Sequence, residues 1–249
     1  MFDIPITDIH TLFGTLPASD LDTTLPALLQ VMRRQHVAQA LAYSLTAVQF
    51  DAAAGNDETW QTHLAHPQLH PVAVVDPRRW VGCEDEIARR GAQGFVAFRF
   101  FPQRQGWPID GLPFRKLLRA VERTGKPVIV TSGAAGDPTR LWHAARDLSV
   151  PVVISGVGYA VLGEALAVIQ ETPHFYLEMH TVTQPFQVEL AIEAVGVERL
   201  LFGSMAPAQY IRPSLKMIEC AEITAAEKAL ILGGNARRLF ALPEPEVMP

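Results

Sequence analysis

The chain has 249 residues, a formal charge of −5, 49% hydrophobic residues and 19% charged ones. That balance excludes a disordered chain and gives no reason to expect nucleic acid or an acidic membrane surface as a partner. Two cysteines, Cys83 and Cys220, exclude a disulfide framework and fit a reducing cytosol, and no basic, apolar leader precedes the first strand-like run.

In chain order, short apolar runs alternate with helix-like segments. A strand predicted over 4–10 leads to a helix over 25–35, and a strand over 39–44 to a helix over 58–66. The third pair is 70–75 and 84–90, the fourth 95–101 and 113–124, the fifth 127–131 and 138–148. The sixth is 152–155 and 162–170, the seventh 175–180 and 184–194, the eighth 199–203 and 213–221. A last helix over 225–240 is expected to break at Gly233-Gly234, with Asn235 as an N-cap. The strands are short and almost wholly apolar, as expected of a parallel sheet covered on both faces. Eight such units fit a (β/α)8 TIM-like barrel of ordinary size, although periodicity leaves a doubly wound sheet open. The barrel would occupy 1–242, followed by a loose tail over 243–249. The most apolar stretch, 152–162, is too short and too interrupted by glycine to span a bilayer.

Several segments carry a resemblance. Leu200-Leu201-Phe202-Gly203-Ser204-Met205-Ala206-Pro207 is similar to the pattern L-L-F-G-S-D-x-P, and Ile231 to Phe240 to I-L-x-x-N-A-x-R-L-F. Asp8-Ile9-His10-Thr11-Leu12-Phe13-Gly14 resembles D-x-H-x-H-x-G. The segment from Gly94 to Pro102 resembles a strand G-x-x-G-x-R-F-x-P. Gly125 to Gly133 resembles G-x-P-V-x-x-H-x-G, and Pro151 to Gly158 resembles P-x-x-x-x-H-x-G-G. These are patterns of the amidohydrolase-related family of metal-dependent hydrolases and decarboxylases, and the resemblance implies its barrel. In that family five of these positions hold or assist a metal. Here His10 remains, while Leu12, Thr131, Ser155 and Met205 stand at the others. A thioether such as that of Met205 does not replace a carboxylate on a hard or borderline divalent ion. The resemblance therefore implies the fold and, with four positions changed, a different active site with no metal and no other cofactor.

A barrel places its site at the C-terminal ends of the strands. The inward phase implied by the resemblance brings His10, Arg99, Thr131, Ser155, Glu178, His180 and Ser204 to that mouth, with Asp76 nearby. Glu178 and His180 sit at i and i+2, so they share a face. A carboxylate beside an imidazole sets its tautomer and raises its basicity, which acid–base catalysis requires. His180 is the expected main acid or base, assisted by Glu178. His10 would orient the substrate, with Asp8 on its own strand face. Arg99 lies among Phe98, Phe100 and Phe101, so a buried guanidinium there is expected to meet an acidic side chain or a substrate carboxylate. Thr131 and Ser155 are candidate donors to a substrate oxygen. Ser155-Gly156-Val157-Gly158 has neither the nucleophile elbow nor the full spacing of a phosphate loop. Trp107 is expected in the core or at the rim.

Three functions stay open. The first is a metal-free, acid–base enzyme acting on a small carboxylated or cyclic molecule by hydrolysis or decarboxylation. The second uses a relocated metal held by some of Asp8, His10, Glu178 and His180, which are zinc-ligand types. The third is a non-catalytic descendant that binds a small ligand or a protein. No metal, nucleic acid or membrane is expected as partner, and since proteins of this resemblance are often dimers, a homodimer stays open.

Overall fold

A computed structural model describes residues 4–245. Eight strands lie in one parallel sheet in sequence order: β1 (Ile6–Phe13), β2 (Val37–Ser44), β3 (Leu69–Val74), β4 (Ala97–Phe100), β5 (Val128–Thr131), β6 (Val152–Ser155), β7 (Phe175–Glu178) and β8 (Leu200–Leu201). The segment after β8 closes the circle onto β1. Ile9 N–H donates to Phe202 O, Leu12 N–H to Ala206 O and Met205 N–H to His10 O, at 3.0, 3.0 and 2.7 Å. The result is a (β/α)8 barrel. Alternation along β2 to β8 divides the core into two layers, while β1 carries two register shifts. On β4, Ala97 and Arg99 turn into the barrel, while Phe98 and Phe100 pack against the helices. Ile129, Val153 and Leu201 share the inner layer with Ala97, and Val128, Val152 and Leu200 lie in the outer one. No helix among the described residues is long and apolar enough to cross a membrane.

All eight predicted strands are present, β6 with the predicted ends and the others with shifted ones. β7 stops at Glu178, so His180 sits in the turn beyond it rather than on the strand. Two short helices follow strands where none was predicted: Leu45–Gln49 after β2 and Pro102–Gln105 after β4. Both sit at the barrel mouth, and both are too short for a helical period to be read from the sequence.

The expected break at Gly233-Gly234 is corrected. The chain winds on through a wide turn, Leu230–Gly234, into the helix Asn235–Phe240. Asn235 is itself helical, not an N-cap. Its amide donates to Val197 O and Leu200 O at 2.7 and 2.9 Å, pinning the approach to β8. Trp107 is buried against Phe114 and Phe100, as expected of a core residue. Of the tail expected to be loose, Pro243 accepts a hydrogen bond from Gln39 at 2.9 Å, and residues 246–249 lie outside the described residues.

Candidate active site

β1, β6 and β7 bring three side chains to one point beneath the mouth. The Glu178 carboxylate is fully buried. Its Oε2 accepts from the Ser155 hydroxyl at 2.6 Å, His10 Nδ1 at 3.2 Å and His180 Nδ1 at 2.6 Å. Its Oε1 accepts from the His180 backbone N–H at 2.9 Å and from Nδ1 at 2.8 Å. A carboxylate only accepts, so both imidazoles carry their proton on Nδ1. His10 Nε2 then accepts from the Tyr43 hydroxyl at 3.2 Å. His180 Nε2 has no partner among the described residues. The two rings meet edge to face, with centroids 4.6 Å apart. Gly203 makes room for the arrangement: a Cβ there would lie 2.1 Å from Glu178 Oε1.

Arg99 reaches the same cluster from β4. Its Nη2 lies 2.9 and 3.0 Å from the two ring nitrogens of His10 and donates to Ser155 Oγ at 2.8 Å. Near-equal distances to both nitrogens put Nη2 over the face of the imidazole, not in line with a lone pair. The rings of Tyr43 and Phe101 lie 5.4 Å from the guanidinium carbon. The expected direct acidic partner is absent among the described residues. Asp76 bonds Arg78 instead, at 2.8 Å, and Glu178 is reached only through the Ser155 hydroxyl. The reason is geometric: Glu178 is already enclosed by two imidazoles and a hydroxyl.

Asp8 also departs from expectation. It accepts from the Ser204 hydroxyl, from Ser204 N–H at 3.1 Å and from His10 N–H at 2.9 Å, and it does not touch the His10 ring. Ser204, expected at the mouth, is buried in this contact.

Burial, then the Arg99 charge, lower His10 to about 3 against the opposing pull of Glu178, so its ring is neutral near pH 7. Burial raises Asp8 to about 7, opposed by its hydrogen bonds from Ser204 and His10. Burial acts to raise Glu178 as well, yet the flanking His180 and His10 hold it well below the usual carboxylate range. With His10 neutral, the hydrogen bonds of both rings and of Ser155 sustain that anion. Burial lowers Arg99 and raises Tyr43 to about 12.

A cavity of about 390 Å³ opens above the cluster. His10, His180 and Thr131 line it, together with an apolar wall that includes Leu12, Leu45, Val48, Phe101 and Met205. Glu178, Ser155 and Arg99 lie behind this lining. The Thr131 hydroxyl is buried and has no hydrogen-bond partner among the described residues. Tyr43, Gln103 and Arg104 also line the cavity. None of the three is marked in the sequence, because Gln103 and Arg104 ride on the short helix after β4 and Tyr43 sits in an apolar strand. Among the described residues, His10, Glu178 and His180 each offer one metal-ligand atom, all within 4.8 Å of one another.

A sequence model of the family described as Amidohydrolase matches residues 19–242. No curated protein sequence matches the chain. Among solved structures, 2,6-dihydroxybenzoate decarboxylase from Rhizobium is 15% identical with a TM-score of 0.78, covering 97% of this chain and 99% of that one. A dihydroxybenzoic acid decarboxylase from Polaromonas, with bound manganese and the inhibitor 2-nitroresorcinol, is 16% identical with a TM-score of 0.78, covering 96% and 97%. A probable 2-pyrone-4,6-dicarboxylic acid hydrolase from Acinetobacter baumannii, with citric acid bound, is 16% identical with a TM-score of 0.73, covering 96% and 100%. At these identities the likeness speaks for the fold.

Two outcomes test this electrostatic arrangement. His10 is depressed from 6.5 to about 3, so its contribution to stability is present above pH 6.5 and is lost as the pH falls towards 3. Asp8 is raised from 3.8 to about 7, so its contribution is present below 3.8 and is lost as the pH rises to 7. Between about pH 3.8 and 6.5 the two slopes oppose each other. Relative to wild type, His10→Gln should make stability fall more steeply with rising pH, and Asp8→Asn should make it rise, each by up to about 1.4 kcal/mol per pH unit. Denaturant titrations with parallel slopes in all three proteins would contradict this. Gly203→Ala should destabilise the fold by about 1–3 kcal/mol through the clash with Glu178. That penalty should shrink in a Glu178→Ala background, and full additivity would count against the contact.

Proposed function

The chain belongs to the Amidohydrolase family, and from that premise we infer an amidohydrolase-like enzyme that works without a metal, by acid–base catalysis, on a small carboxylated or cyclic molecule. The observation that carries this reading is His180: its Nδ1–H is fixed on a buried carboxylate, while Nε2 is unpartnered on a residue that lines the cavity. This is how an imidazole is prepared to exchange a proton with a substrate.

Divalent-cation chemistry of the family's kind does not fit the residues present. Leu12, Thr131, Ser155 and Met205 supply no strong ligand, and Arg99 already places a cation against His10. An ion bound to either His10 nitrogen would stand about 4 Å from that guanidinium. Charges of +2 and +1 at that separation repel by about 8 kcal/mol at an effective dielectric near 20.

The proton step is common to both candidate reactions. In hydrolysis, His180 Nε2 takes a proton from water as the water oxygen adds to the carbonyl carbon, and returns it to the leaving oxygen or nitrogen. In decarboxylation, His180 Nε2 first takes a proton from water or from the substrate's carboxylic acid, and the resulting imidazolium delivers it to the carbon that releases carbon dioxide, whose C–C bonding pair becomes the new C–H bond. Glu178 stabilises the imidazolium in either case. The Thr131 hydroxyl is suited to a substrate oxygen, and Arg104, on the exposed side of the cavity, to a carboxylate. The apolar wall suits a ring. Arg99 and Ser155 act from behind, by positioning Glu178 and His10.

A panel of lactones, amides and aromatic carboxylates identifies the reaction. On the substrate found, His180→Gln should reduce turnover by about 10²- to 10⁴-fold with the fold intact. Near-normal turnover would remove His180 from the chemistry, and ligand depletion without turnover across the panel would identify a binding protein. Arg104→Met should raise KM for a carboxylated substrate by about two- to fivefold while leaving a neutral analogue unaffected, in line with a surface-exposed charge pair. Equal effects on both would assign Arg104 to the structure of the rim.

A further inference from the structure

We propose that the Arg99 guanidinium is a built-in cation that keeps a latent divalent-metal site closed, the site formed by His10, Glu178 and His180. The inference rests on the metal-free reading above. Two imidazoles and a carboxylate form a zinc-type donor set, and their ligand atoms already converge within 4.8 Å. Only His10 of the three stands at a position where the resemblance places a ligand, so the set differs from the family's own.

What prevents an ion from entering is the neighbour on β4. Arg99 is wholly buried, and Nη2 covers the His10 ring. Its other contacts are poor for so costly a group. Among the described residues, Nη1 reaches only Ile9 O, at 3.4 Å, and Nε is buried with no partner. A buried guanidinium with spare donors and no carboxylate in direct contact is not explained by its own hydrogen bonds. It is explained by the charge it supplies. Glu178 is an anion in the barrel interior, and the nearest fixed positive charge is Arg99, one serine hydroxyl away. Removing that charge leaves an uncompensated carboxylate between two imidazoles, beside the space vacated by the guanidinium. A divalent cation satisfies all three.

The test uses the whole protein and reads metal, not activity. Wild type, Arg99→Met and Arg99→Lys are stripped with chelator, dialysed against zinc at neutral pH and analysed for bound metal. Wild type and Arg99→Lys, which retain the positive charge, should hold no stoichiometric zinc. Arg99→Met should hold about one zinc per chain, bound at least about 100-fold more tightly than by wild type. Adding His180→Gln to Arg99→Met should abolish that binding. If Arg99→Met does not fold without metal, refolding with and without zinc gives the same readout, and Arg99→Gln provides a second neutral variant. Failure of both neutral variants to take up zinc, with wild type metal-free, overturns this inference and leaves the metal-free reading standing. Stoichiometric zinc in wild type overturns that reading and the closed site together. Equal uptake by Arg99→Lys and Arg99→Met would show that bulk, not charge, closes the site, and would also overturn the inference.

Discussion

The candidate site depends on one buried anion. Glu178 sits at the end of β7, inside the barrel, where a lone carboxylate would be expelled or protonated. It remains charged because four groups donate to it: two imidazoles, a hydroxyl and the backbone N–H of His180. Those bonds also act outward. They fix the tautomer of both histidines, tie side chains from β1, β6 and β7 together beneath the mouth, and leave Nε2 of His180 free to exchange protons. The backbone has been shaped around the same carboxylate, since Gly203 on the neighbouring segment leaves no space for a side chain.

The other buried charges follow from it. Arg99 balances the anion at one remove, and burial, reinforced by the Arg99 charge, keeps His10 neutral. Asp8, a second carboxylate in the same interior, cannot be accommodated as readily. Burial and the charge of Glu178 both push it upward, and only Ser204 and a backbone N–H support its ionised form. The interior therefore holds one firmly charged carboxylate and one marginal one. Their environments differ in what reaches each: two imidazoles flank Glu178, whereas Asp8 meets a hydroxyl, two backbone N–H groups and the repelling charge of Glu178.

Much of this was legible in the sequence. Eight apolar runs separated by helical segments mark the barrel, and parity along the strands correctly turns Arg99, Ser155 and Glu178 inward, because alternation is imposed by the pleat. The pairing of Glu178 with His180 is legible from i, i+2 spacing, even though the strand ends before His180. Other features were hidden for physical reasons. Arg99 was expected to meet an acid, but what a buried group touches depends on strands far away in sequence, and Ser155 takes the place nearest Glu178. Asp8 shares a strand face with His10, yet the closure of the barrel brings Ser204 to it first. The cavity walls from Leu45–Gln49 and Pro102–Gln105 rest on helices of about one turn, which leave no periodic signal, so Arg104 and Gln103 gave no sign of lying at the site.

A single ionised carboxylate holds both imidazoles by Nδ1 and so frees Nε2 of His180. Long-range nitrogen–proton correlation NMR on protein labelled at histidine reports the tautomer of each ring directly. With signals assigned through His10→Gln and His180→Gln, both rings should show the Nδ1–H form at pH 7, with both Nδ1 protons shifted strongly downfield by Glu178 and returned upfield in Glu178→Gln. An Nε2–H tautomer for His180 would place its free lone pair on the wrong nitrogen and remove the proton exchange that the geometry prepares.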